Sequence, residues 1–171
     1  MSTNDLSLET KRRIFKDIKE IVENPLVDHG IYYEHSEIEM NTGYALIIGP
    51  ENTPYQWGNY LFRLTFPHSY PYEPIKVKYL TNDGQTRFNP NLYRSGKVCL
   101  SILNTWKGEQ WDSTQTLTSV LLSLCTVLNE KPFLNEPDIK ETHPDYEKYH
   151  MALEYKNFDI AIKGMLNKEY L

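Results

Sequence analysis

Tyr60-Leu61-Phe62-Arg63-Leu64-Thr65-Phe66 sets Tyr60, Phe62, Leu64 and Phe66 against Leu61, Arg63 and Thr65. In extended backbone, successive side chains point to opposite faces, so the four large apolar groups share one side of a strand. Three further runs read as strands: residues 31–38, 44–48 and 75–80. The links joining the four are short and rich in turn residues. Parallel neighbours would need crossover connections of about a dozen residues or more. The chain therefore predicts a four-stranded antiparallel meander and an α+β fold.

Helical patterns flank this sheet. Residues 7–24 place Ile14, Phe15, Ile18, Ile21 and Val22 on one face, with Ser7 as the expected N-cap and Asn24-Pro25 as the stop. Lys11, Arg12, Lys16 and Lys19 line the opposite face, with Arg13 between the two. That stripe reads either as a solvated surface or as a contact for an acidic partner. Asp112-Ser113-Thr114-Gln115 resembles a capping box opening a helix to about Leu128, with Leu117, Val120, Leu121, Leu124, Cys125 and Leu128 inward. Cys125 is expected in the core as a small hydrophobe. His143-Pro144 starts another helix with Tyr146, Tyr149, His150 and Leu153 on one side. A last helix is expected to turn Phe158, Ala161, Ile162, Met165 and Leu166 inward.

The 171 residues suit one compact domain that buries a core without disulfides or metal. Hydrophobic residues make up 40% and charged residues 24%, ordinary for a globular chain. A net charge of −5 argues against nucleic acid as the main partner. The start reads as no signal peptide, and no apolar run reaches the length of a membrane span. Two cysteines in dissimilar contexts form no disulfide framework. A reducing compartment, cytoplasm or nucleus, is the expectation, and a thiol left free there is available for chemistry.

Two proline-rich stretches complete the plan. Tyr70-Pro71-Tyr72-Glu73-Pro74 cannot be helical and makes a poor central strand, so it predicts a rigid exposed loop. Its rings either pack on their own prolines or face a partner. Residues 80–111 carry no periodic signal but many apolar side chains, which predicts an ordered functional loop. Cys99 lies inside it, after Asn89-Pro90-Asn91 and Gly96-Lys97-Val98.

A hydrolytic cysteine needs a base, usually histidine, and none of the five histidines lies near Cys99 in sequence. Zinc would want three or four Cys or His ligands at set spacings, which are missing. Acyl transfer that avoids water remains, because thiol–thioester exchange is nearly balanced in energy. Its transition state carries an oxyanion that a positioned amide can stabilise, and losing one such donor typically costs ~2.7–4 kcal/mol. Asn91 and Asn89 are the candidates, each equally readable as a turn-stabilising residue.

The ordered set of features resembles the ubiquitin-conjugating enzyme family over almost the whole chain. It comprises a basic N-terminal helix, four strands with Gly49-Pro50 and Thr53-Pro54-Tyr55, Phe66-Pro67, and Tyr70-Pro71-Tyr72-Glu73-Pro74. Asn89-Pro90-Asn91, Gly96-Lys97-Val98-Cys99-Leu100 with Ile102-Leu103, and Trp111 before a long helix complete it. The resemblance implies the fold of that family, with residues 1–6 a flexible N-terminus and 7–170 a single catalytic domain. It implies that Cys99 accepts ubiquitin or a ubiquitin-like protein as a thioester from an activating enzyme, then passes it to a substrate lysine or a ligase cysteine. Asn91 would serve the oxyanion or the loop, and Glu136 the incoming lysine. Lys11, Arg12 and Lys16 would meet the activating enzyme, and Tyr72, Ser113 and Thr114 a ligase. A monomer without metal or cofactor is expected, since ATP belongs to the activating enzyme. The competing reading is an inactive adaptor of the same fold that binds ubiquitin or ligases.

Three departures from the family pattern stand out. Asn89 replaces the motif's histidine, and Ser101 replaces an acid two residues after the cysteine. Residues 104–110, with Trp106, are extra. Together they resemble a divergent subclass of larger conjugating enzymes.

Overall fold

The structure is a computed structural model and describes residues 6–167. Helix α1 (Leu8–Glu23) is capped by Ser7, whose hydroxyl accepts from the Thr10 N–H, and it ends at Asn24. Strands β1 (Ile31–His35), β2 (Thr42–Ile48), β3 (Asn59–Thr65) and β4 (Lys76–Tyr79) form one sheet in sequence order, every pair antiparallel. The meander expected from the short links is therefore the observed topology. Helices α2 (Leu117–Thr126) and α3 (Tyr146–Lys156) follow, and α3 runs on into a π-type turn over Asn157–Gly164. The flexible N-terminus expected over residues 1–6 lies mostly outside the described residues, but Leu6 is buried.

Register fixes which face enters the core. Ala45 pairs with Phe62, Ile47 with Tyr60 and Ile31 with Ile47, and all five are buried. Tyr44 and Arg63, paired on the other face, are exposed. Gly43 leaves room for the Tyr33 ring, since a Cβ there would sit 2.1 Å from the Tyr33 hydroxyl. Leu117, Val120, Leu121 and Leu124 of α2 join the same core fully buried, each burial worth about 1.5–3 kcal/mol.

Several expectations need correction. The capping box of α2 is Thr116 with Ser119, not Asp112 with Gln115, and the helix stops at Thr126. Asp112 instead folds a local turn by accepting from the Thr114 N–H and hydroxyl. Cys125 is half-buried, beside Pro50, Thr53 and Leu128 at the rim of the core. Phe15 and Val22 point outward, 65% and 71% exposed. Their places on the buried side of α1 are taken by Thr10 and Asp17, which lie in line with Ile14 and Ile21. Phe158 and Leu166 also face out, because the wider π-type turn rotates the pattern and buries Asn157, Ile160, Ala161 and Gly164.

Candidate active site

The loop from β4 to α2 owes its order to a few backbone pairings. Lys97 bridges back to Lys78, and Leu92 to both Asn89 and Val98. Gly96, at φ +84, takes the left-handed turn that lets its carbonyl receive the Tyr79 N–H at 2.8 Å. This frame holds Cys99 beside Asn91. The Cys99 N–H donates to the Asn91 carbonyl at 2.9 Å, and the Asn91 side-chain Nδ2 donates to the Cys99 carbonyl at 2.7 Å.

The resting thiol is enclosed, Cys99 being 2% exposed. Asn91 is buried too, and its Oδ1 has no hydrogen-bond partner. The N–H groups of Cys99 and of the residue after it are both committed, that of Cys99 to Asn91 and that of Leu100 to the Thr105 hydroxyl at 2.9 Å. An oxyanion donor from this pair of residues would have to come free of those bonds. No hydrogen bond joins a histidine to Cys99 among the described residues; His35 and His150 bond to Tyr33, Met40 and Tyr146 instead.

Asn89 does the work of an internal brace. Fully buried, it donates from Nδ2 to Tyr55 Oη and to the Val127 carbonyl, both at 2.7 Å, and its Oδ1 accepts the Asn91 N–H at 2.9 Å. Tyr55 in turn donates to the Phe88 carbonyl at 2.9 Å. Burial pushes the Tyr55 phenol well above its ordinary pKa, so it stays a neutral donor. Both ends of one amide thus tie the cysteine loop to the end of α2.

The extra segment forms a closed loop. Asn104 adopts φ +56 after a 3-10 turn (Ser101–Leu103), and its Oδ1 accepts the Trp111 N–H at 2.8 Å, joining the two ends. Gln110 Nε2 donates to the Trp106 and Gly108 carbonyls at 3.0 Å. The return of this loop passes so near Ser101 that a Cβ on Gly108 would lie 3.1 Å from Ser101 Cβ. The small residue at 101 and the inserted loop are therefore one feature: a crowded contact with small groups on both sides.

Glu136 pairs with Arg87 at 3.2 Å, each about one-third exposed. The same Arg87 Nη2 donates to the Pro90 carbonyl at 2.6 Å, and the guanidinium lies 4.5 Å from the centroid of Tyr93. Glu136 is thus linked, through Arg87, to the residue preceding Asn91.

The residues expected to meet partners share a second network. Tyr72 is 67% exposed and donates from its hydroxyl to Glu9 of α1 at 2.8 Å. Tyr70, before the cis Tyr70–Pro71 bond, is buried and donates to Asp17. Trp111 Nε1 donates to the Pro71 carbonyl at 2.7 Å. Tyr70 packs inward, against Phe66 and Trp111 and not on the loop's own prolines, while Tyr72 is exposed. Arg13 bonds Asp17 at 3.0 Å and the carbonyls of Ser113 and Gln115 at 2.8 and 2.5 Å. Burial opposes its charge, but Asp17 outweighs that and raises its pKa. Ser113 and Thr114 are exposed on the turn so fixed, as are Arg12 and Lys16 on α1, while Lys11 is half-buried.

Sequence reasoning missed Arg13, Asp17, Arg87 and Thr105 as structural anchors. The i, i+4 spacing of Arg13 and Asp17 was the available signal. For Arg87 and Thr105 no local signal existed, since their bonds run to loop carbonyls.

A family model described as ubiquitin-conjugating enzyme matches residues 13–158. Among curated relatives, ubiquitin-conjugating enzyme E2 Z of Homo sapiens is 40% identical over 157 residues, covering 90% of this chain and 44% of the relative. Its namesake from Danio rerio is 41% identical over 157 residues, covering 90% and 47%. The probable ubiquitin-conjugating enzyme protein 17 of Caenorhabditis elegans is 37% identical over 170 residues, covering 92% and 23%. The chain spans less than half the length of each of these three relatives.

Proposed function

The chain belongs to the ubiquitin-conjugating enzyme family, and from that premise we propose that Cys99 carries ubiquitin, or a ubiquitin-like protein, between an activating enzyme and a lysine or a ligase cysteine. The observation that supports this most is the double hydrogen bond between Asn91 and the Cys99 backbone, which holds one thiol in an ordered loop with no histidine bonded to it.

The chemistry follows from those residues. The Cys99 thiolate attacks the modifier's C-terminal thioester, the new C–S bond forms, and the activating enzyme's cysteine leaves as thiolate and takes up a proton. Without a paired base, water is not activated against the product. A lysine then attacks the carbonyl, Cys99 leaves as thiolate, and the amine's proton departs as the amide forms. Lysine in water has pKa ~10.4, so a site that strips its proton or its water speeds the step. The enclosure of Cys99 means that charging requires local displacement around the sulfur.

Lys11, Arg12 and Lys16 are the proposed contact for the activating enzyme, and Tyr72, Ser113 and Thr114 for a ligase. Glu136 is the proposed carboxylate for the incoming lysine. Among the described residues no helix is long and apolar enough to cross a membrane.

The test is charging with activating enzyme, ATP and a panel of modifiers, read on non-reducing gels. A conjugate that reducing agent removes is expected; Cys99→Ala abolishes it and Cys125→Ala preserves it. No adduct with any pairing would favour an adaptor.

A further inference from the structure

Asn91 holds the backbone of residue 99, and the inserted loop holds its neighbours. Thr105 belongs to the stretch between the 3-10 turn and Trp111, and as a whole residue it is exposed. Its hydroxyl nevertheless turns toward the cysteine loop. Oγ1 accepts the Leu100 N–H at 2.9 Å and lies 3.1 Å from both the Val98 and Leu100 carbonyls, to which its one proton can be donated. The Thr105 backbone N–H adds a bond to the Leu100 carbonyl at 3.1 Å. One hydroxyl therefore spans the peptides before and after Cys99.

These contacts are complementary to those of Asn91. Asn91 takes the N–H and carbonyl of residue 99, and the Thr105 hydroxyl takes the Val98 carbonyl and the Leu100 N–H, the opposite ends of the same two peptides. The direction of Cα–Cβ at residue 99, from which Sγ is carried, follows from those flanking peptides. The base of the loop is closed by Asn104 and Trp111, and its return is pressed against Ser101 through Gly108. The clamp is thus carried by a braced loop.

We propose that Thr105 is a positioning residue for Cys99: through its hydroxyl, the inserted loop orients the thioester for attack by the lysine amine. The proposal rests on the reading of Cys99 as the thioester carrier. Displacements of about an ångström in a reacting group can cost on the order of a hundredfold in rate. Valine matches threonine in shape and removes only the hydroxyl, whereas serine keeps it.

The experiment is single-turnover discharge of the preformed Cys99 thioester to free lysine over a range of lysine concentrations. Thr105→Val is expected to lower the maximal rate about tenfold or more with the half-saturating lysine concentration unchanged. Thr105→Ser is expected within about twofold of the parent. In the uncharged proteins, iodoacetamide should alkylate Cys99 faster in Thr105→Val than in the parent, with Cys125 unchanged. Should Thr105→Val not fold, Thr105→Ala removes the same hydroxyl and is read in the same way. Parent-like discharge in the hydroxyl-lacking variant overturns the proposal. So does a slowed discharge accompanied by equal gains in alkylation at both cysteines, which marks general loosening. Failure of the parent to charge at all would instead strike the carrier reading itself.

Discussion

Asn91 gives its side-chain N–H to the carbonyl of Cys99 at 2.7 Å while its own Oδ1 stays buried and unpaired. The amide is thus engaged as a brace in the resting state, with its second N–H the remaining donor. Removing it leaves a buried carbonyl unsatisfied, at about 1–3 kcal/mol. Asn91→Ala should therefore lower the melting temperature by several degrees and slow lysine discharge together. Slowed discharge at an unchanged melting temperature would assign Asn91 to the oxyanion alone.

Asp17 is expected to be the costliest single charge to remove. It is buried and accepts from Arg13, Tyr70 and the Leu117 N–H, the last at 3.3 Å. Asp17→Ala strands a half-buried guanidinium and should destabilise by about 3–5 kcal/mol, as read by urea unfolding. A loss below about 1 kcal/mol would show that water replaces the carboxylate there.

For Glu136 the decisive variable is pH. The Arg87 pair is about one-third exposed, so Glu136→Gln should change stability by no more than about 1 kcal/mol. If the carboxylate takes the lysine's proton, discharge by the variant is slow at pH 7 and approaches the parent near pH 9, where more of the lysine is already neutral. A variant that equals the parent at pH 7 would confine Glu136 to holding Arg87 beside Pro90.

His35 predicts an acid-sensitive edge of the sheet. Its ring accepts or shares a proton with Tyr33 at 2.7 Å and meets the Met40 carbonyl at 3.0 Å, and burial lowers its pKa despite the Met40 bond. With the folded pKa below the unfolded value of ~6.5, the unfolded chain binds more protons, so stability rises with pH. That contribution is complete above ~6.5 and shrinks as pH falls through it toward the folded value. His35→Gln should flatten this part of the stability profile; an unchanged profile would place the acid sensitivity elsewhere.

Much of the fold was legible because its signals are local. Alternation in residues 60–66, short links, and Ser7 with Asn24-Pro25 each speak within a few residues, and the corresponding elements stand where expected. The misses share a different cause. Asp112 carried the right chemistry for a cap but spends it on Thr114, so Thr116 caps α2, which begins only at Leu117. Phe158 and Leu166 followed a 3.6-residue period that the π-type turn does not keep. Asp17 went unread, because its partners Tyr70 and Leu117 are far away in sequence. At the site, Cys99, Asn89 and Asn91 were visible as residues, and the structure brings the three into one network. The enclosure of the thiol and the grip of Thr105 arise from tertiary contacts that no spacing encodes.

The Asp17 joint fastens α1, the proline loop and the start of α2 to a single carboxylate, so the surfaces proposed for the activating enzyme and for a ligase are hung from the same hinge pin. If both visitors favour one setting of α1 against that pin, each changes the other's affinity by the same factor. Arrival and hand-over would then be linked by equilibrium alone, and a ligase bound in advance would tune how readily the empty carrier is met for reloading.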